Sequence, residues 1–514
     1  MTASNQMLKS SLVVSSATML SRVLGLLRDV VMANLLGGTN AADAFYVAFK
    51  IPNFFRRLFA EGAFAQAFVP VLSDYREQGG LAAVQALIHR VFAWLGTALF
   101  ALCVLAWLFA PAVAWLFASG FHQYPEKLAL TAELIRWTFP YLGFISLTAF
   151  AGAILNTYGY FAVPALTPVL LNLTLIGAAL GFTPWVATPA HALAMGVLLA
   201  GVMQLLFQVP FLWRLGLLPR PIWERNHPGV RRILLLMAPA LFAVSVSQIN
   251  LLLDTVLASW LVTGSIAWLY YADRLLELPL GVIGIALATV VLPTLSALSA
   301  RADQAAFRAS LSWAVRMVLL LGIPAALALW ILATPIISTL FYHGAMTAQD
   351  VQQSAAALRA YAPGLVAFML VKVLAPGFFS REDMKTPVRI AVVALVANMM
   401  LNLMLIWSLA HVGLALATSL SAWLNAGLLA WTLSRTGFFS WQETLWQPRT
   451  LAVLVAVVLM GGVLWWQMPA LDFWLSAKLW PRLSWLAGLI VLGLTVYVGL
   501  LWLLGWRWRH IRGE

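Results

Sequence analysis

Residues 91–118 read VFAWLGTALFALCVLAWLFAPAVAWLFA, a run without one charged side chain. A helix of that length is enough to cross the hydrocarbon core of a bilayer, about 30 Å thick. Comparable apolar runs recur on both sides of it along the whole 514-residue chain, which is 62% hydrophobic and only 10% charged. A soluble fold of this size cannot solvate itself with so few charges, whereas one embedded in lipid need not. The chain is therefore expected to be an all-α polytopic membrane protein. In a soluble protein the net charge of +13 would suggest nucleic acid. Here basic loops held on the cytoplasmic side account for it, and no nucleic-acid partner is expected. The single cysteine, Cys103, lies inside the quoted run, so the sequence calls for no disulfide, metal cluster or cofactor. The first apolar segment carries Arg22, Arg28 and Asp29 with no small-residue cleavage pattern after it, unlike a cleavable signal.

Fourteen spans can be counted, from 8–36 and 42–70 through 233–262 and 268–297 to 450–468 and 484–506. An even count puts both termini on one side. Loops after even-numbered spans, with the termini, hold most of the lysines and arginines, among them Arg76, Arg90, Arg220, Arg301, Arg389 and Arg507. Loops after odd-numbered spans hold only Lys127, Lys478 and Arg482, a bias of about six to one that places both termini in the cytoplasm.

The spans also repeat. Asp29-Val-Val-Met-Ala-Asn-Leu-Leu resembles Asp254-Thr-Val-Leu-Ala-Ser-Trp-Leu, Val69-Pro-Val-Leu-Ser resembles Leu292-Pro-Thr-Leu-Ser, and the turn before Pro164 matches the turn before Pro387. Two six-helix lobes, 1–218 and 219–436, follow, related by a pseudo-two-fold axis, with 437–514 as an appended pair of helices. Repeats of this kind usually enclose a site at their interface.

Intramembrane charge gathers in spans 1, 2, 7 and 8. At 100° per residue, Ser11, Ser15, Thr18, Arg22 and Asp29 share one stripe of span 1, and Asp43, Lys50, Arg57 and Glu61 one of span 2, with Asn53 at its edge. Span 7 aligns Ser247, Asn250 and Asp254, and span 8 groups Tyr270, Asp273, Arg274 and Glu277. Arg28 and Arg56 lie off these stripes, so each needs a second partner or a route to the surface. Each basic side chain facing lipid costs about 2.5–3.5 kcal/mol, so these residues must face one another or water. Helix–helix salt bridges are one reading and a hydrated central cavity the other. Small residues would pack helices better than costly ion pairs, which favours the cavity. Its first half is cationic, because Ser247 stands where span 1 has Arg22, and planar guanidinium groups match phosphate.

At these positions the chain resembles a known family. Ser21-Arg22-Val23-Leu24-Gly25 with Arg28-Asp29, Asp43-Ala44-Phe45 and Phe49-Lys50-Ile51-Pro52-Asn53 are similar to the signature of the MurJ/MviN lipid II flippases. Arg56-Arg57-Leu58-Phe59-Ala60-Glu61-Gly62-Ala63, Tyr270-Tyr271-Ala272-Asp273-Arg274-Leu275 and Lys372-Val373-Leu374-Ala375-Pro376-Gly377-Phe378 extend the likeness over essentially the whole chain. That family belongs to the multidrug/oligosaccharidyl-lipid/polysaccharide exporter superfamily, with two six-helix lobes and two extra helices. The resemblance implies movement of lipid II, an undecaprenyl-pyrophosphate carrying a disaccharide-pentapeptide, from the cytoplasmic to the periplasmic leaflet of the bacterial inner membrane. It implies Arg22, Arg28 and Arg274 as a pyrophosphate-binding triad, with Asp43, Asn53 and Arg56 lining or gating the cavity. Asp29, Arg57, Glu61, Asp273, Glu277 and Lys372 are the further cavity charges. A groove beside spans 13 and 14 is implied for the polyprenyl tail. Lipid II, membrane lipids and enzymes of peptidoglycan synthesis are the expected partners of what is expected to be a monomer.

Export of another lipid-linked oligosaccharide, or of drugs, is the alternative within transporters, although a drug exporter would be expected to carry an acidic cavity. A membrane glycosyltransferase would also bind a polyprenyl-pyrophosphate, but it needs a carboxylate cluster near water. The odd-numbered loops offer only the scattered Glu126, Asp350 and Asp472, so no enzyme is expected.

Overall fold

Every regular element among the described residues is helical. The computed structural model describes residues 3–57, 64–224, 226–445 and 447–507, with the side chains of 3–12, 238–240, 242–247, 285 and 443 excepted. The chain divides into two compact units, Met1–Ala267 and Trp268–Glu514. The first contains α1 (Ala3–Leu36), α2 (Asn40–Phe55), α3 (Phe64–Leu108), α4 (Ala110–Phe117), α5 (Pro125–Thr138), α6 (Tyr141–Thr157), α7 (Ala162–Gly181), α8 (Pro189–Arg214) and α9 (Pro228–Ser259). Gly37, at φ 54°, supplies the left-handed turn after α1. Thr39 then caps α2 by accepting from the Ala42 N–H at 3.3 Å. Prolines open α5, α8 and α9, where their missing N–H removes no helical bond. Phe68, Leu87, Phe150, Ile154, Leu212 and Ile233 form a core shared by α3, α6, α8 and α9. Between helices in lipid, close packing rather than release of water supplies the attraction. At Gly196 of α8 a Cβ would stand 2.5 Å from the Ala178 Cβ of α7, so this pair packs through a glycine.

The second unit takes up α10 (Ser265–Pro279), which passes through a π-helical turn, Leu280–Gly284, into α11 (Ile285–Ala300). There follow α12 (Gln304–Ile331), α13 (Ala333–Phe341), α14 (Ala348–Tyr361), α15 (Gly364–Leu374), α16 (Pro376–Phe379), α17 (Lys385–Arg435), α18 (Trp441–Leu445), α19 (Pro448–Gln467), α20 (Leu471–Ser476) and α21 (Leu479–Leu503). The hairpin of α19 and α21 docks on α12 through Met317, Leu320, Met460, Leu464 and Leu489, and the Tyr497 hydroxyl donates to the Leu320 carbonyl at 2.6 Å. Arg482, a loop cation by its place in the sequence, is buried. Its Nη1 donates to the Ser338 and Tyr342 carbonyls at 2.9 and 3.3 Å, satisfying the bare end of α13.

The helix breaks repeat as the sequence does. The residue preceding α4 is Phe109 and the one preceding α13 is Leu332; Pro140 precedes α6 and Pro363 precedes α15. One offset relates both pairs, and also Pro164 to Pro387. By length and hydropathy, nine helices among the described residues can cross a membrane, or ten if α14 with α15 and α16, bent by 41°, is one span. Hydropathy alone expects fourteen. Part of the difference lies in α17, a single element of 51 residues that breaks at Ala410 (φ 50°, ψ −131°) into two stretches of span length. Val396, Met400 and Met404, on successive turns of α17, are 54%, 63% and 72% exposed, an outward face suited to hydrocarbon rather than water.

Candidate functional site

Three residues of α1, Ser21, Gly25 and Arg28, lie on successive turns and meet α7 at Asn172. Arg28 is buried. Its Nε and Nη2 donate to Asp29 Oδ1 at 3.0 and 2.7 Å, and its Nη1 donates to Asn172 Oδ1 at 3.0 Å. Asn172 Nδ2 returns a hydrogen bond to the Ser21 carbonyl at 2.9 Å. The partner that Arg28 needs, lying off its stripe, is thus a neutral amide on a helix far along the chain, with Asp29 beside it supplying the charge. Arg22 differs. It is half-buried, and among the described residues no hydrogen-bond or ion-pair partner meets its guanidinium. A cation held so can receive an anion without first breaking a protein contact.

On α2 the off-stripe Arg56 donates from Nε to Asn53 Oδ1 at 3.2 Å, while Asn53 Nδ2 donates to the Phe49 carbonyl at 2.8 Å. Lys50 Nζ donates to Thr255 Oγ1 at 3.3 Å, and Arg57 is half-buried on the turn after the helix. Asp43, at the start of α2, is 1% exposed. Its Oδ2 accepts from Lys127 Nζ at 2.7 Å and from the Gly264 N–H at 2.8 Å, and its Oδ1 accepts from the Ala267 N–H at 3.1 Å. Lys127 is buried as well, 4.2 Å from the Phe121 ring centre. Asp43 therefore clamps α2 to α5 and to the turn after α9, with its oxygens occupied by three donors.

In the second unit Arg274 donates from Nη1 to Glu277 Oε2 at 2.7 Å and lies 4.9 Å from the Tyr270 ring centre. Asp273 is half-buried beside it. Lys372 is exposed, its stem passing Gly284 at the end of the π-helical turn. Glu61 lies outside the described residues, as do the side chains of Ser11 and Ser247. Sequence reasoning singled out neither Asn172 nor Lys127. For Lys127 a signal existed: it is a lysine on the side of the membrane where the charge bias leaves few. Asn172, within an apolar run, carried none beyond its polarity.

Residues 32–482 match the family described as lipid II flippase MurJ. The chain belongs to the MurJ lipid II flippase family. It is 48% identical, over 99% of its own length and 98% of the relative's, to the "Probable lipid II flippase MurJ" of Vibrio cholerae. To the lipid II flippase MurJ of Burkholderia cenocepacia it is 40% identical over 98% of each chain. A solved structure of lipid II flippase MurJ, in an inward closed conformation, matches with a TM-score of 0.81 at 26% identity, covering 95% of this chain and 98% of that one. An inward-facing multidrug resistance MATE family transporter of the MOP superfamily matches at a TM-score of 0.68 and 15% identity, covering 82% and 97%. At that identity it shares the fold alone. The MurJ family is one of membrane transporters rather than catalysts.

Proposed function

We propose that the chain flips lipid II from the cytoplasmic to the periplasmic leaflet of the bacterial inner membrane by alternating access, supplying peptidoglycan synthesis. The observation that carries this reading is the contrast between Arg22, half-buried and without a partner among the described residues, and Arg28, braced by Asp29 and Asn172. A pyrophosphate head group cannot cross hydrocarbon unaided, since moving even one bare ion costs several kcal/mol. Arg22 offers a planar fork to the incoming phosphate, Arg28 holds a fixed orientation behind it, and Arg274 serves from the second lobe. Asn53 and Arg56 line the path, and Asp43 gates it through its hold on the turn after α9. Asp29, Arg57, Glu61, Asp273, Glu277 and Lys372 balance the cavity's charge. In this reading the chain makes fourteen crossings with both termini cytoplasmic and acts as a monomer. Lobes 1–218 and 219–436 bind the head group, and 437–514 receives the polyprenyl tail. Enzymes that make and polymerise lipid II work on either side.

Complementation tests it. In cells depleted of their own flippase, this chain should restore growth and periplasmic lipid II, and its Arg22→Ala variant, at equal membrane abundance, should restore neither. Growth without recovery of periplasmic lipid II would show that another cargo is carried.

A further inference from the structure

Away from the arginines of α1 and α10, the first turn of α13 and the facing side of α14 up to its last turn hold another polar feature. A cavity of about 430 Å³ opens there between α13 and α14 on one side and the turn from α19 to α20 on the other. Its size is that of a small-ligand site. One wall is polar, formed by Thr334, Gln352 and Arg359; the other is apolar, formed by Met468, Leu471 and Trp474. Arg359 is half-buried, and its Nη2 donates to Thr334 Oγ1 at 2.9 Å. Four more guanidinium N–H groups remain, yet among the described residues no carboxylate pairs with Arg359 or lines the cavity. Asp472, next to Leu471, is exposed on α20 and outside the lining. The Trp474 Nε1 is engaged by the Pro469 carbonyl at 3.2 Å, so this side chain offers the cavity carbon rather than a donor.

The surroundings set the level of the site. Trp465 and Trp466 on the last turn of α19 and Trp480 on the first turn of α21 are 61%, 82% and 79% exposed. Tryptophans at the ends of spans sit among lipid head groups. Met468 and Pro469, which border the cavity, follow directly on the last turn of α19, so its mouth meets the layer of lipid phosphates.

We propose that this cavity binds the phosphate of an anionic phospholipid, which ties the α19–α21 hairpin to α13 and α14. The Arg359 guanidinium takes the phosphate oxygens, Gln352 adds a neutral donor, and Met468 and Leu471 border the start of an acyl chain. With cytoplasmic termini, the lipid belongs to the periplasmic leaflet.

The test uses the full chain, delipidated in neutral detergent. Native mass spectrometry and thermal unfolding are followed with phosphatidylglycerol, with phosphatidylcholine, and with inorganic phosphate. Phosphatidylglycerol should give a retained adduct and a raised unfolding temperature, and the other two should give neither. Arg359→Gln should weaken the adduct by about tenfold, the worth of a lost charge-assisted hydrogen bond. Arg359→Gln also removes the contact to Thr334, so Gln352→Glu serves as a second variant. It leaves Arg359 in place, adds a repelling carboxylate on an exposed wall, and should weaken the adduct similarly. If both variants keep the lipid within about twofold of the parent, the site is overturned. Equal stabilisation by inorganic phosphate would overturn the lipid as occupant.

Discussion

Two buried ties occupy equivalent places in the two halves of the chain and use different chemistry. In the first, Asp43 of α2 meets Lys127 of α5 as an ion pair at 2.7 Å. In the second, the Trp268 Nε1 of α10 donates to Asp350 Oδ1 of α14, also at 2.7 Å. The offset between Asp29 and Asp254 carries Asp43 to Trp268, and that between Phe109 and Leu332 carries Lys127 to Asp350. A sequence triplet also recurs in the two halves. Leu171-Asn172-Leu173 of α7 resembles Leu401-Asn402-Leu403 of α17, seven residues further on than the offset of Pro164 to Pro387 would place it. Asn172 receives the charged Arg28, whereas Asn402 donates to Asn398 Oδ1 at 2.9 Å and Asn398 to Ser421 Oγ at 3.2 Å. The fold needs its helices tied at these points, and a neutral donor suffices for that. Full charge in the first half does something further: Asp43 also holds the backbone of the turn after α9, and Arg28 is fixed between Asp29 and Asn172.

The largest effect should come from breaking the charged tie. Lys127→Met leaves Asp43 buried without its counter-ion, at a cost of about 3–5 kcal/mol in unfolding measurements on the purified protein. The double variant Asp43→Asn with Lys127→Met should regain most of that. A double variant no more stable than the single one would show that the two charges are not coupled.

The amide positions sharpen the contrast. Arg28→Met removes the guanidinium shared by Asp29 and Asn172 and should cost about 3 kcal/mol, against about 1 kcal/mol for Asn402→Leu in the neutral network. Equal losses would remove the distinction between the halves. Smaller still, Trp268→Phe keeps the ring and deletes the N–H, which should cost about 1–2 kcal/mol because Asp350 retains its bonds from Thr347. A loss as large as that of Lys127→Met would make the two ties energetically alike. Arg22→Ala should move stability by no more than about 0.5 kcal/mol while abolishing complementation. A marked fall in its unfolding temperature would reveal a structural role for this side chain.

Membrane class, the repeat and the charged faces of α1 and α2 are legible from residue order, because hydropathy and the 100° step of a helix are local properties. The stripe containing Arg22 and Asp29 and the exclusion of Arg28 from it needed no coordinates. Side chains three apart on a helix are neighbours, so local periodicity allows the Asn53–Arg56 contact too, although the stripe reading left Arg56 in need of a partner. By the same token it could say nothing of what faces them.

What only the tertiary structure decided is which helix supplies each partner. Arg28 finds Asn172 and Asp43 finds Lys127 across long stretches of chain, and Arg482 closes the end of α13 from α21. Periodicity fixes the face a side chain points from but not the helix that face meets. In lipid, where apolar surfaces attract one another with little selectivity, packing shape and polar pairing make that choice. Residue order alone therefore determined a charged, repeated membrane transporter of the MurJ family. Which of its charges are braces and which stand open was settled when the helices packed, because a buried charge must find a counter-ion, a hydrogen bond or water wherever the fold carries it.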